Sequence, residues 1–159
     1  MLQKKDAYDL ARMMCEFYLK LARWSKSYYL KNFNINGKGN YAITMRQFQI
    51  LILLYDLGVE TISELSELLA ISKSSLSLTI SKMVSEGYIR REMPSTTEDG
   101  RRVFFYVTEK GLQVLDESKN LMIESLSQYY STLTEEQKED LIIGLEKLGN
   151  VYSIKEDSM

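Results

Sequence analysis

The sequence predicts a mainly α-helical protein with one small β-hairpin. Apolar residues recur every three or four positions along most of the 159 residues, which is the period of an amphipathic helix. Three helix starts carry a capping box, in which a Thr is followed three residues later by Gln or Glu, at Thr44, Thr61 and Thr134. Two neighbouring segments, Tyr88–Met93 and Val103–Val107, have instead the β-branched and aromatic content of paired strands.

The first predicted helix runs from about Asp6 to Lys31 and carries an apolar seam with alternating spacings of four and three residues. The seam comprises Leu10, Met14, Phe17, Leu21, Trp24 and Tyr28. The last helix, after Thr134, has a similar seam at Leu141, Leu145, Leu148 and Tyr152. A helix packed on its own core shows such a stripe too. Because aromatic residues lie on a seam at the chain's end, we expect these helices to dimerise through Leu10, Phe17, Leu21, Trp24, Leu141, Leu145 and Leu148.

The middle of the chain predicts three further helices before the hairpin. The first of them follows Thr44 and stops at Gly58, a residue type that commonly ends helices. Its expected buried face consists of Phe48, Leu51, Ile52, Leu54 and Tyr55. The next is a short helix near Thr61, with apolar residues at Ile62, Leu65, Leu68 and Leu69.

The helix that follows the tight link at Ile71 and Ser72 is unusually polar. It extends to about Glu86, with Gly87 as its stop, and hydroxyl side chains separate its apolar residues. Short hydroxyl side chains are poor helix formers, so stability alone does not favour them here. They do suit a helix that enters the DNA major groove, where a close backbone approach needs short polar side chains.

The order of elements therefore predicts a winged helix-turn-helix within one domain spanning 1–159. Residues 41–108 form the expected DNA-binding lobe, and residues 1–40 and 109–159 the helical dimerisation region. A helix capped by Thr108 and reaching about Tyr129 leads from the hairpin into that region.

Composition excludes several other classes of protein. The chain has no histidine and one cysteine, so it lacks the commonest general base and the commonest metal ligand. We expect neither a cofactor nor a metal site, and no enzyme activity. No apolar run approaches the roughly 20 residues that span a bilayer, and the N-terminus lacks the features of a secretory signal. We therefore expect a cytoplasmic protein without a membrane partner.

The charge distribution is compatible with DNA binding through one face. The net charge is −2, but residues 71–108 carry six Lys or Arg against four Asp or Glu. Residues 109–159 carry five against eleven. A mildly basic centre beside an acidic arm permits a nucleic-acid partner without requiring one.

Four segments together resemble the MarR family of winged helix-turn-helix transcription regulators. They are Ile71–Ser77, Met83–Arg91, Glu98–Val103 followed by Thr108–Gly111, and Leu133–Glu136. The resemblance covers about Thr44 to Tyr152. It implies a homodimer that binds a pseudo-palindromic duplex, acts as a repressor and releases DNA on binding a small aromatic or lipophilic ligand, or on oxidation.

The resemblance also implies which residues touch DNA. The expected contacts are Lys73, Ser74, Ser75, Ser77, Thr79, Lys82, Arg101 and Arg102. Asp99 would orient an arginine of the wing, and Arg101 would enter the minor groove. Taken alone, two arginines at a hairpin tip, or serines on a helix face, are equally typical of a solvated surface. The chain departs from many family members at Leu78, where an arginine is common and where leucine cannot contact guanine bidentately.

The first helix contains a second candidate site. One branch of the family senses hydroperoxides through a cysteine assisted by tyrosines, and Cys15, Tyr28 and Tyr29 are the corresponding candidates here. Free cysteine is also commonly a small buried hydrophobe, and that alternative stays open. The Met and aromatic residues of the first two helices, Phe48 among them, either line a ligand pocket or form core.

Two other functions are alternatives to DNA binding. A small enzyme is disfavoured because the chain has no Gly-rich phosphate loop, nucleophile elbow or paired metal ligands. A winged-helix protein-interaction module without specific DNA binding remains the alternative. The two differ in salt dependence, because DNA binding releases counterions.

Overall fold

The computed structural model describes residues 6–28, 30, 33, 42–93 and 103–152. It contains six helices and two strands among these residues. In chain order they are α1 (Ala7–Tyr28), α2 (Met45–Asp56), α3 (Ile62–Leu69), α4 (Lys73–Ser85), β1 (Ile89–Glu92), β2 (Phe104–Val107), α5 (Glu109–Tyr130) and α6 (Glu135–Tyr152). This is the mainly helical architecture with a small hairpin that the sequence predicted.

The predicted helix starts are confirmed by their hydrogen bonds. At Thr44 and Thr61 the hydroxyl accepts the backbone N–H three residues on, and the side chain of Gln47 or Glu64 returns to the cap backbone. Thr134 and Gln137 make the same reciprocal pair before α6. Each box satisfies N–H groups that the first helical turn would otherwise leave open.

The ends of α2 and α4 use backbone conformations that glycine adopts readily. Gly58 follows α2 with φ of +62°, and Gly87 follows α4 with φ of +76°. Both were predicted as stops, and both lie in the left-handed region where a side chain would be strained. Ala70, at the end of α3, adopts φ of +51° despite carrying a side chain.

The core lies between α2, α3, α4, the hairpin and the first half of α5. Its fully buried members include Ile50, Leu51, Leu65, Leu76 and Leu115. One expectation for this region was wrong: Tyr55, in the last turn of α2, is 57% exposed although it lies on the same side of the helix as Phe48 and Leu51. Leu68 on α3 is exposed as well.

The strands form an antiparallel pair in which Ile89 lies opposite Val107 and Glu92 opposite Phe104. Only one residue in each strand, Ile89 and Phe105, is buried, so the hairpin rests on the core by one edge. The backbone N–H of Phe105 donates to the carbonyl of Glu60 at 2.9 Å, which fixes β2 to the segment before α3.

The first and last helices lie outside this core. Helix α1 was predicted to reach Lys31 and ends at Tyr28, with Ser25 as its one buried residue among those described. Helix α6 has no buried residue at all within its bounds. Helix α1 contacts α5, where the Ser125 hydroxyl donates to the Tyr28 carbonyl at 3.0 Å. In the part of the chain that the structure describes, no helix is long and apolar enough to cross a membrane.

Candidate nucleic-acid interface

The turn between α3 and α4 is held by local hydrogen bonds. The left-handed Ala70 reverses the chain, and the Ser66 hydroxyl donates to the carbonyl of Ile71 at 2.6 Å. The Ser72 hydroxyl then accepts the N–H of Ser75 and caps α4. The angle between the two helices is therefore set by side chains within a few residues of the turn, as a helix-turn-helix requires.

Helix α4 presents a continuous polar face to solvent. Its buried residues are Leu76, Ile80 and Met83, which face the core. The opposite side of the helix exposes Lys73, Ser74, Ser75, Ser77, Leu78, Ser81 and Lys82, whereas Thr79 is half-buried. The structure therefore brings together the six α4 residues that the sequence predicted to touch DNA.

Three of the α4 hydroxyls already have partners within the helix or at its N-cap, and one of them, that of Ser85, donates to the Lys82 carbonyl at 2.8 Å. The Ser77 hydroxyl donates to the Lys73 carbonyl at 2.9 Å, and those of Ser72 and Ser74 lie 3.1 Å apart. A serine whose proton is used in this way can still accept hydrogen bonds through its lone pairs. Ser77 is therefore suited to accept from a base amino group.

Two features of α4's surroundings were missed by sequence reasoning. A groove of about 250 Å³ runs between the first turn of α2 and α4, and Arg46, Thr79 and Lys82 line it. Arg46 is exposed and adds a cation beside Lys82. No local pattern identifies Arg46, because the two helices meet only in the tertiary structure. Leu78 lines the same groove and is 78% exposed, so it is not turned inward.

A second groove, of about 380 Å³, separates α4 from the hairpin. Ser77 and Ser81 line it on the helix side, and Arg91 and Val103 on the strand side. Arg91 is exposed there, so a cation flanks α4 on the hairpin side as well.

In the hairpin, Arg90 contacts both an aromatic ring and a carboxylate. The Arg90 guanidinium lies 4.9 Å from the centre of the Tyr106 ring and forms an ion pair with Glu92. Burial, followed by the nearby carboxylate of Glu60, raises the pKa of the Tyr106 hydroxyl. Tyr106 therefore stays neutral at physiological pH and braces Arg90 through its ring.

The predicted wing residues Asp99, Arg101 and Arg102 lie outside the described residues, as does Tyr29. Their assigned roles stay predictions.

Hydrogen bonds join the end of α4 to the start of α5. The Thr108 hydroxyl donates to the Gly87 carbonyl at 2.6 Å and accepts the Gly111 N–H at 3.1 Å. The Lys110 ammonium donates to the Glu86 carbonyl at 2.7 Å. Burial, with smaller effects of Glu86 and Glu117, raises the pKa of Tyr88 in this joint. A movement of α5 would therefore be transmitted to α4 and the hairpin.

The residues of the second candidate site, around Cys15, lie apart in the structure. Cys15 is exposed, so it is not a core residue of its own chain. It lines a cavity of about 810 Å³ between α1 and α6, together with Met14, Tyr18 and Leu148. Tyr28 lies 13 residues further along α1, about 20 Å away at the helical rise.

Tyr28 belongs instead to an aromatic cluster with residues of α5. Its ring centre lies 5.2 Å from Trp24 and 4.5 Å from Tyr129. Phe48, another candidate for a ligand pocket, is a core residue that packs on Phe33. Cys15 and Tyr28 therefore do not form one site within a single chain.

Known proteins resemble this chain in sequence and in structure. The family model described as MarR family matches residues 43–103, which span α2, α3, α4 and the hairpin. A MarR transcriptional regulator from Methanosarcina mazei Go1 has a TM-score of 0.58 at 26% identity, over 87% of this chain and 95% of that one. The chain therefore contains a MarR-family domain over residues 43–103.

Two further proteins are similar to the chain, the first in sequence and the second in fold. YkoM of Bacillus subtilis, named as an uncharacterized HTH-type transcriptional regulator, is 25% identical over 132 residues, or 83% of each protein. A mutant of MepR from S. aureus, solved bound to an oligodeoxyribonucleotide, has a TM-score of 0.53 at 19% identity and covers 93% of this chain and 99% of its own. The MarR-family domain and the relatives named as transcriptional regulators indicate a DNA-binding transcriptional regulator.

Proposed function

We propose that this protein is a homodimeric MarR-family repressor that binds a pseudo-palindromic DNA site through α4 and the hairpin. The observation that carries the proposal is the exposed polar face of α4, flanked on one side by Arg46 and on the other by Arg91. A helix of this kind can enter the major groove while the flanking cations contact phosphates.

Roles within this surface follow from position. Ser74, Ser75 and Ser77 lie on the exposed side of α4 and are suited to base edges, with Lys73 at the first turn of the helix. Thr79 and Lys82 line the groove beside α2 and are suited to phosphates. Leu78 is suited to a thymine methyl group because it is exposed and apolar. Arg101 and Arg102 at the wing, oriented by Asp99, complete the proposed contacts.

The homodimer is proposed from the apolar side chains that α1 and α6 leave uncovered. On α1, Leu10 is 57% exposed, Phe17 47% and Leu21 43%, and on α6 Leu145 is 59% exposed. Large apolar surface of this kind in a single chain is typical of an interface. Leu141 and Leu148 are half-buried on the same helix. In the proposed dimer, residues 1–40 and 109–159 form the dimerisation region, and residues 41–108 form the DNA-binding lobe.

Release of DNA is proposed to begin between α1 and α6. A small lipophilic ligand in the cavity beside Cys15, or oxidation of that thiol, would alter how the two helices pack. Helix α5 joins this region to the hairpin and to α4, so the spacing of the two α4 helices in the dimer would change. A duplex with fixed half-site spacing discriminates between such states.

The test is the salt dependence of binding by the purified protein. Binding to a mixed-sequence duplex should weaken steeply between about 50 and 200 mM salt, because each lysine or arginine on a phosphate releases counterions. Specific binding should then appear as tighter retention of particular sequences. Binding that ignores salt, or no binding at all, would favour the protein-interaction module instead.

A further inference from the structure

A network of hydrogen bonds and one ion pair links the start of α2 to the end of α4. The side-chain oxygen of Gln47 accepts from the Thr44 N–H at 2.9 Å and from the Thr44 hydroxyl at 3.0 Å. Its amide nitrogen donates to a carboxylate oxygen of Glu86 at 2.9 Å. The other carboxylate oxygen lies 3.7 Å from the ammonium of Lys82.

Gln47 holds this network in a fixed arrangement. It is only 4% exposed, and because its oxygen faces two donors, its amide nitrogen has to point towards Glu86. The carboxylate is therefore fixed by a buried side chain from another helix. An ordinary surface pair between residues four apart, with lysine first, would be weak and mobile.

The position of Glu86 is not one that helix stability favours. Glu86 is the C-cap residue of α4, where the helix macrodipole favours a cation and disfavours an anion. Lys82 is also one of the cations that face the proposed DNA surface. A carboxylate held at this place lowers the positive charge that α4 offers to a phosphate.

We propose that Glu86 is an affinity-limiting residue of the DNA-binding surface. Its carboxylate, positioned by the Gln47 amide, holds the Lys82 ammonium and reduces the contribution of that lysine to phosphate binding. The phosphate and the carboxylate compete for one cation, so Lys82 neutralises a phosphate only incompletely while the charged Glu86 lies beside it. The inference rests on the proposed function of α4 as the DNA-contacting helix.

The test compares Glu86→Gln with the wild-type protein on a mixed-sequence duplex over a range of salt. Glutamine keeps the acceptor for Gln47 and removes only the charge. The variant should bind about two- to fivefold tighter, as the loss of a competing surface ion pair implies. Its log–log salt slope should steepen by up to about 0.9, the value for one further neutralised phosphate.

Two further variants separate the possible causes. Glu124→Gln removes the same charge from an exposed position on α5 and should leave affinity and slope unchanged. Lys82→Met combined with Glu86→Gln should abolish the gain. A gain that persists without Lys82, or a Glu86→Gln variant that behaves like the Glu124→Gln control, would overturn the inference.

A Gln47 variant tests separately whether this side chain positions the Glu86 carboxylate. Gln47→Met frees the carboxylate, so the salt slope should move towards that of Glu86→Gln while stability falls through the lost capping box. If stability fell but the salt slope stayed unchanged, Gln47 would stabilise the fold without affecting DNA binding through Glu86. Failure of the wild-type protein to bind the duplex in a salt-dependent way would instead refute the proposed function itself, and the inference with it.

Discussion

At the scale of single residues, Gly111 shows how tightly α5 is joined to the end of α4. A Cβ atom at this position would lie 2.0 Å from the backbone oxygen of Tyr88 and 2.8 Å from a methyl carbon of Val107. Backbone oxygen cannot move aside without shifting the hairpin. The sequence indicated Gly111 only as part of a family motif. The residue that leaves no room for a side chain there, Tyr88, lies 23 residues away in the sequence.

Replacing Gly111 by alanine should therefore destabilise the protein by about 1–3 kcal/mol, the range typical of overpacking in a tight core. Urea denaturation measures this loss. The matched control is Gly144→Ala in α6, where a Cβ would meet nothing within 4 Å. That change should be neutral or stabilising by up to about 1 kcal/mol through helix propensity. Equal stability of the two variants would contradict the close approach.

At the scale of elements, the helix starts were predictable and the contacts between helices were not. A capping box is a local pattern, so Thr44, Thr61 and Thr134 could be identified from four residues each. The Gln47 to Glu86 hydrogen bond joins residues 39 apart and has no local signature. The groove that Arg46 lines beside α4 arises in the same way, from the packing of two helices.

The element most open to test is the start of α5. Thr108→Ala removes both the cap of α5 and the hydrogen bond to the Gly87 carbonyl. The free energy of unfolding should fall by about 1–2 kcal/mol, as for other N-cap threonines. Thr108→Ser keeps the hydroxyl and should recover most of that loss. If the serine variant were as unstable as the alanine variant, the hydroxyl would not be the cause.

At the scale of the whole molecule, the winged-helix fold was predictable and the dimer remains a proposal. The order of helices and strands fixed the architecture, since each element carried its own periodicity. The seam on α1 was predicted as one dimer surface, but Trp24 packs within its own chain against Tyr129 and Tyr130. Substitution of Trp24 would therefore disturb the monomer as well as any interface.

Phe17 gives a cleaner test of the dimer because it is exposed in the single chain. Phe17→Asp places a charge on the proposed interface and should convert the dimer to a folded monomer, as measured by light scattering. Tyr55→Asp changes a similarly exposed aromatic residue on α2 and should leave the mass unchanged. A Phe17→Asp variant that keeps the wild-type mass would place the interface elsewhere.

In the proposed complex, two copies of α4 bind DNA together in a sequence-specific way. The most direct measurement is selection of binding sites by the purified protein from a random duplex pool at near-physiological salt. Binding by a symmetric dimer should enrich a pseudo-palindrome, with half-sites separated by about one helical turn or a multiple of it. Recovery of no sequence, or of a single unpaired half-site, would contradict it.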